Sequence, residues 1–237
     1  MLINNQTTNT NMDEDLKKNI MKTGTSLVGI VCKNGIVMAG DRRATAGGHI
    51  IMSKTTQKVV PVNDYLLVSG TGTASDIERI KKYLRSELKL KQLRSRKRPT
   101  VGEAANLAAN INYNAIRQPT MIPFIAGLMM GGLNENGKAE LYTIEPAGSA
   151  TKVKDYDANF SSGMPYILGL LERQFKENIT IEEGVELAKE ALKSAMERDP
   201  ASGNGMDIFT ITKEGIKHEV LQEVTPQYKD KKGNIRG

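Results

Sequence analysis

The chain has 237 residues, of which 39% are apolar and 25% charged, and this is ordinary for a globular protein of one large or two small domains. The lone cysteine, Cys32, excludes an internal disulfide and favours a reducing compartment. No apolar run approaches the ~20 residues of a membrane span, and residues 1–24 lack a signal peptide's apolar segment, so we expect a cytoplasmic protein with no membrane partner.

The first predicted strands follow a polar leader, residues 1–24, whose composition is typical of disorder. TSLVGIVC and IVMAGD, between Thr25 and Asp41, are β-rich runs joined by an Asn-Gly signal for a tight hairpin. KVVPV and YLLVSG predict a second strand pair, which runs into the glycine-rich residues 70–75.

Helices in two pairs and further hairpins make up the rest of the chain. Apolar residues at helical spacing predict helices at 75–93, 101–117, 165–177 and 181–197, and hairpins are expected at 124–146 and 206–221. Thr100 with Glu103 fits a capping box, and the fourth helix has the same pattern at Thr180.

The order of these elements predicts the fold class. Strands, two helices, strands, two helices and strands follow one another without regular βα alternation, which favours an α+β protein with helices outside and antiparallel sheets inside, a four-layer αββα sandwich. No linker divides residues 25–221, so we expect one domain, preceded by residues 1–24 and followed by a basic tail, 222–237.

Much of the net charge of +6 lies in residues 79–99 and 228–237. A basic helix can bind nucleic acid, but this one lacks interleaved aromatic residues, and the chain has no Trp. We therefore expect no nucleic-acid partner, and interpret the charge as a solvated helix face or as a contact with an acidic neighbouring subunit.

Several common catalytic and cofactor motifs are missing. Residues 70–75 resemble a dinucleotide fingerprint, but the sixth position is Ser75 and no βαβ unit follows. Backbone N–H groups at this helix start can instead hold a developing oxyanion. His49 and His218 have no metal-ligand spacing, so neither a metal nor another cofactor is expected, and a hydrolase would need a base other than histidine.

The junction between Gly24 and Thr25 offers such a base. If this peptide bond is cut, Thr25 carries an α-amine with a reference pKa of about 7.7–8.0, close to that required of a general base. One residue then holds nucleophile and base together, and the intact leader keeps the site inactive. Gly24 suits a tight turn here. The alternative is an ordinary loop that enters a sheet.

Five ordered motifs decide between these interpretations. GTSLVGIVCKNGIVMAGDRRAT closely resembles the start of catalytic β subunits of the proteasome, which are N-terminal nucleophile (Ntn) hydrolases of αββα fold. Four further stretches resemble motifs of the same family, in its order and at about its spacing: SKTTQKV (53–59), GTGTASD (70–76), SSGMP (161–165) and RDPASG (198–203).

The resemblance implies a role for each matching residue. Thr25 is the nucleophile exposed by autocatalytic removal of residues 1–24, Asp41 pairs with the catalytic lysine and keeps it charged, and Lys58 is that lysine. Gly72 supplies the oxyanion-hole N–H, and the network around the threonine amine comprises Ser162, Asp199 and Ser202.

Alternatives to these roles stay open at this point. The stretch between Thr45 and Ser53 is one residue longer than the usual family spacing, so Lys54 rivals Lys58 for the lysine role. Asp41 and Lys58 could instead form a surface ion pair. Likewise, Ser162 could be a turn residue, and Asp199 and Ser202 a helix cap.

Similarity also places a pocket for the residue before the scissile bond. Its lining is Ala44, Thr56, Gly70, Ala74 and Glu78. We hypothesise that Gly70 leaves the pocket open and that Glu78 pairs with basic side chains. In the alternative, Glu78 caps the helix together with Ser75.

The resemblance finally implies a threonine endopeptidase that degrades unfolded polypeptides to short peptides. In this family, the β subunits form heptameric rings stacked between rings of α subunits, and a regulatory ATPase acts through the α rings. Two alternatives are a non-catalytic β subunit of the same ring and the shorter bacterial two-component threonine protease.

Overall fold

The computed structural model describes residues 24–224, 228–229 and 235–236. Its strands are joined largely through hairpins. In chain order they are β1 (Leu27–Cys32), β2 (Gly35–Asp41), β3 (Ala44–Ala46), β4 (Ile50–Ser53), β5 (Val60–Asn63), β6 (Leu66–Gly72), β7 (Ala126–Leu133), β8 (Ala139–Ile144), β9 (Ala150–Val153), β10 (Tyr156–Asp157), β11 (Gly205–Thr212), β12 (Gly215–Glu223), β13 (Tyr228–Lys229) and β14 (Ile235–Arg236). The helices are α1 (Ala74–Ser95), α2 (Val101–Ile116), α3 (Met164–Gln174) and α4 (Ile181–Arg198).

These bounds agree with the predicted helices to within a few residues. The capping boxes at the starts of α2 and α4 are both present, with each threonine side chain accepting from the glutamate N–H three residues on. The short strands β3, β4, β9 and β10 were not predicted. Apart from Gly24, the predicted leader lies outside the described residues, as do residues 225–227, 230–234 and 237 of the predicted tail.

Two antiparallel five-stranded sheets form the centre of the molecule. The first has the strand order β10-β1-β2-β11-β12 and the second β5-β6-β7-β8-β9. The register of β1 on β2 pairs Cys32 with Gly35 across a two-residue turn, as the Asn-Gly signal predicts. Strand β2 also pairs with β11, so the chain's first and last long hairpins share one sheet.

The helices cover the outer faces of the two sheets. Helices α3 and α4 pack on the first sheet, and α1 and α2 on the second. On β2, Val37 and Ala39 face the helices, whereas Ile36 and Met38 face the other sheet, as the two-residue period of a strand requires. This arrangement confirms the four-layer αββα sandwich of the Ntn-hydrolase type.

Where the two sheets meet, a glycine of one sheet faces a methionine of the other. A Cβ added to Gly29 would lie 2.4 Å from Met129 Sδ, and one added to Gly131 would lie 2.8 Å from Met38 Sδ. Real Cβ atoms do not approach other atoms so closely, so each glycine provides the space that a methionine of the facing sheet occupies. The two sheets consequently pack without room for another side chain at these positions.

None of the helices in the described part of the chain is both long and apolar enough to cross a bilayer.

Several basic groups of the predicted charged segment have partners within the second sheet and its helices. Arg85 donates to the carbonyls of Pro61 and Val62, and Lys91 lies 2.8 Å from Glu103 on α2. Part of this charge therefore helps to hold α1 in place.

Cys32 is buried where β1 packs on α4, in the same cluster as the helix side chains. Burial, with the nearby carboxylates of Glu182 and Glu183, raises the pKa of the Cys32 thiol from its ordinary value of 9.0 to about 12. Since thiolate is the reactive form, a shift of this size leaves about 1000-fold less of it at pH 8.

We therefore expect an alkylating reagent at pH 8 to modify Cys32 at least about 1000-fold more slowly in the native chain than in urea. Mass spectrometry over time measures both rates. Cys32→Ser is the control that should not react. Comparable native and unfolded rates would contradict the buried position of this thiol.

Candidate active site

The carboxylate of Asp41 lies buried at the end of β2 and accepts four hydrogen bonds. Lys58 Nζ lies 2.6 Å from Oδ1, which also accepts from the Ser26 N–H at 2.7 Å. The N–H groups of Arg43 and Gly203 donate to Oδ2 at 3.0 and 3.1 Å. Both charged side chains are buried, so the alternative of a surface ion pair is wrong. Exposed Lys54 is not the partner of this carboxylate.

Two opposing effects act on the pKa of Lys58. Burial lowers the pKa of Lys58 below its ordinary value, and the ion pair with Asp41 raises it without restoring that value. The expectation that Asp41 keeps this lysine charged stays a prediction, and the ion pair acts in that direction.

Thr25 lies two residues before the start of β1 and is buried, and both its hydroxyl and its backbone N–H form hydrogen bonds. Its hydroxyl donates to the Gly24 carbonyl at 2.6 Å, and its amide N–H donates to Ser162 Oγ at 2.9 Å. The Gly24 N–H donates to Thr45 Oγ1 at 3.2 Å. The side chain of Thr25 thus lies against the carbonyl of the bond whose cleavage would expose its amine.

Close packing gives a reason for Gly24 besides the tight turn that we expected, which stays a prediction. A Cβ on Gly24 would lie 1.7 Å from the Cβ of Ala201 and 2.8 Å from its Cα. No side chain fits between the junction and this segment. Gly24 therefore permits close approach of two backbones.

Three polar residues predicted to support the threonine amine lie together. Asp199 Oδ2 accepts from the hydroxyls of Ser162 and Ser202, each at 2.6 Å. Ser202 Oγ also lies 2.7 Å from the buried Ser26 Oγ. Asp199 is the C-cap residue of α4, but its side chain belongs to this network. The part of Ser26 in this network was not predicted. The one feature of the sequence that could have indicated it is the position of Ser26 next to Thr25.

Gly72 ends β6, just before the start of α1. Its φ of 115° lies in a region that favours glycine, and a Cβ there would be 2.2 Å from the Ile125 carbonyl oxygen. Gly72 and Thr25 line the same cavity. Its oxyanion-hole role stays a prediction.

That cavity has a volume of about 140 Å³ and includes all five pocket residues predicted from similarity. Lys58 also lines it, so the candidate pocket opens directly beside Thr25 and the lysine. A Cβ on Gly70 would lie 2.9 Å from Ile77, so this glycine is needed for packing on α1 as well as for space. The lining residues are Gly24, Thr25, Ala44, Thr45, Thr56, Gln57, Lys58, Gly70, Gly72, Ala74, Ile77, Glu78 and Lys81.

Glu78 does not cap α1. The N-cap residue is Thr73, without a side-chain cap hydrogen bond, and Ser75 lies within the first turn. Glu78 Oε1 instead lies 3.5 Å from Lys81 Nζ. Lys81 was missed, although its spacing from Ile77 places it on the buried face of the helix.

Arg42, next to Asp41, fixes the segment that carries Lys58. Its Nη1 donates to both oxygens of buried Asp207 at 2.7 and 2.8 Å, and its Nη2 donates to the Thr55 carbonyl at 3.1 Å. The Arg42 carbonyl accepts from the Thr56 N–H at 3.0 Å. Two hydrogen bonds thereby hold the chain just before Lys58 against the end of β2. His218 Nε2 lies 3.0 Å from Asp207 as well.

We expect Arg42→Met to lower the free energy of unfolding by about 3–5 kcal/mol, because it leaves the buried Asp207 carboxylate without its main partner. Urea denaturation followed by circular dichroism measures the change. In the double variant Arg42→Met/Asp207→Leu the buried charge is gone, and the loss should be smaller than in the single variant. A double variant that is less stable than either single one would contradict this account.

Comparisons with known proteins show the family of this chain. The model of the proteasome subunit family matches residues 21–211. The proteasome subunit beta of Nanoarchaeum equitans is 37% identical over 84% of this chain and 98% of that protein. That of Methanothermobacter thermautotrophicus is 37% identical over 83% and 90%, and proteasome subunit beta 2 of Pyrococcus abyssi is 38% identical over 82% and 89%. The chain therefore belongs to the proteasome subunit family, and these similar proteins are archaeal β subunits.

Proposed function

We propose that the chain is a threonine endopeptidase, the catalytic β subunit of a proteasome core particle that degrades unfolded polypeptides to short peptides. The observation that carries this proposal is the position of Thr25. Its hydroxyl lies on the Gly24 carbonyl and its nitrogen on the Ser162–Asp199 network, beside a cavity that the buried Lys58 also lines.

The proposed maturation uses the Gly24-Thr25 bond itself. Thr25 Oγ attacks the Gly24 carbonyl carbon and loses its proton, the C–N bond breaks, and the Thr25 nitrogen takes a proton to become an amine. The acyl group of residues 1–24 is then held on Oγ as an ester, which water hydrolyses. The network already bonded to the Thr25 nitrogen is in place to receive the new amine.

Substrate hydrolysis would repeat this chemistry with the amine as base. Thr25 Oγ attacks the scissile carbonyl carbon while its proton passes to the α-amine, directly or through a water. The negative charge on the carbonyl oxygen would be stabilised by the Gly72 N–H. The amine product leaves with the proton, and a water releases the acyl product from the ester.

Lys58 would supply positive charge beside the nucleophile. A nearby ammonium favours the ionised hydroxyl and the unprotonated amine. Asp41 would orient Lys58 through the 2.6 Å ion pair. Ser162, Asp199 and Ser202 would hold the amine in position.

The proposal includes the assembly known for the family. The chain would form a heptameric β ring, stack on rings of α subunits, and receive unfolded substrates through a regulatory ATPase in the cytoplasm. Membership of the proteasome subunit family and similarity to archaeal β subunits support this. A homomeric ring would suffice for catalysis, because the described chain holds every residue invoked here.

The first test is the mass of the chain after co-expression with its α partner. The wild-type chain should begin at Thr25 and hydrolyse peptides. Thr25→Ala should retain residues 1–24 and lose peptide hydrolysis, because no hydroxyl remains. Thr25→Ser is the matched control, expected to keep processing and some activity. A full-length wild-type chain inside assembled particles would instead favour the non-catalytic alternative.

A second test uses the close contact between Gly24 and Ala201. Gly24→Ala should slow processing about tenfold or more, because overpacking of this contact costs about 1–3 kcal/mol and shifts the carbonyl from the hydroxyl. Ala201→Gly in the same chain removes the Cβ at 1.7 Å and should restore part of the rate. Intact mass against time gives both rates. Unchanged processing in Gly24→Ala would refute this role of the contact.

A further inference from the structure

A buried lysine, Lys81, lines the cavity beside Thr25 and has one long ion pair. The Lys81 side chain is 9% exposed, and within the described residues its one ion pair is with Glu78, at 3.5 Å. An ammonium group has three N–H donors, so this long contact leaves most of its hydrogen-bonding capacity unused. A buried cation in this condition favours an anionic ligand.

Lys81 differs from the other charges around the cavity, because it is buried without a short ion pair. Lys58 is already paired with Asp41 at 2.6 Å, so the two together add little net charge. The Glu78 side chain is 59% exposed, and water screens its carboxylate, whereas the ammonium lies inside. Within this pair the cation is therefore the more buried member.

Much of the remaining lining of the cavity is uncharged. Ala44, Gly70, Ala74 and Ile77 contribute no charge. The cavity, at about 140 Å³, is several times the ~30 Å³ that one water occupies in the liquid, so it has space for a side chain. A guanidinium or ammonium from a substrate would meet Lys81 there as a like charge.

We propose that this cavity binds an acidic side chain of the residue before the scissile bond, with the carboxylate on Lys81, and that the protein cleaves preferentially after glutamate or aspartate. Lys81 is then the specificity-determining residue. This inference rests on the proposed peptidase function, and it replaces the expectation that Glu78 selects basic side chains. Burial of Lys81 costs solvation, which a bound carboxylate would partly restore.

The test uses fluorogenic peptides that differ only in the residue before the cleaved bond: Glu, Gln, Leu and Arg. We expect kcat/KM for Glu to exceed that for Gln by about tenfold or more, since a hydrogen bond between charged groups is lost with Gln. The Glu peptide should also be hydrolysed faster than the Leu and Arg peptides. All assays use the assembled, processed particle.

Matched variants separate the effect of Lys81 on specificity from that of the general positive charge of helix α1. Lys81→Gln should remove the preference for Glu over Gln. Lys81→Arg, which keeps the cation, should retain much of the preference. Lys82→Gln removes the same charge from the exposed face of α1 and should change nothing. Glu78→Gln should leave or increase the preference for Glu.

The outcomes distinguish this inference from the function on which it rests. Faster cleavage of the Arg or Leu peptide than of the Glu peptide would overturn the role of Lys81 while leaving the peptidase intact. Loss of the Glu preference in Lys82→Gln as well would also overturn it. If the wild-type particle cleaves no peptide and keeps residues 1–24, both proposals fail together.

Discussion

The structure of the site depends on one buried ion pair. Asp41 and Lys58 lie at the end of β2 and at the entry to β5, and their charges are taken out of water together. Such a pair is tolerated only when the remaining lone pairs are satisfied, and the backbone N–H groups of Ser26, Arg43 and Gly203 do this for Asp41. The same hydrogen bonds tie the first strand, the lysine segment and the end of α4 into one unit.

Local rules predicted much of this protein. Turn residues, capping boxes and two-residue alternation depend on neighbours in sequence, so the long strands and all four described helices were found. Motif order predicted Thr25, Asp41 and Lys58 because the family spacing carries long-range information that composition lacks. The structure brings these residues into one region, where their chemical roles stay proposals.

What escaped prediction depends on contacts between distant segments. Arg42 and Asp207 are 165 positions apart, and nothing near either residue indicates the other. The short strands β3 and β4 form a separate two-stranded sheet, too brief for alternation to show. Lys81 looked like one more member of a basic helix, because a single charged residue on an apolar face has no local signature until the cavity beside it is known.

The interlocking of glycine with methionine between the sheets has a chemical consequence. A thioether can gain an oxygen atom to become a sulfoxide, which is larger and polar. Met38 and Met129 are fully buried against Gly131 and Gly29, so the closed sandwich holds no space for that atom and keeps the oxidant from reaching the sulfur. Sulfoxide at these two positions would therefore record moments when the sheets had separated, and would prevent them from closing again in the same way.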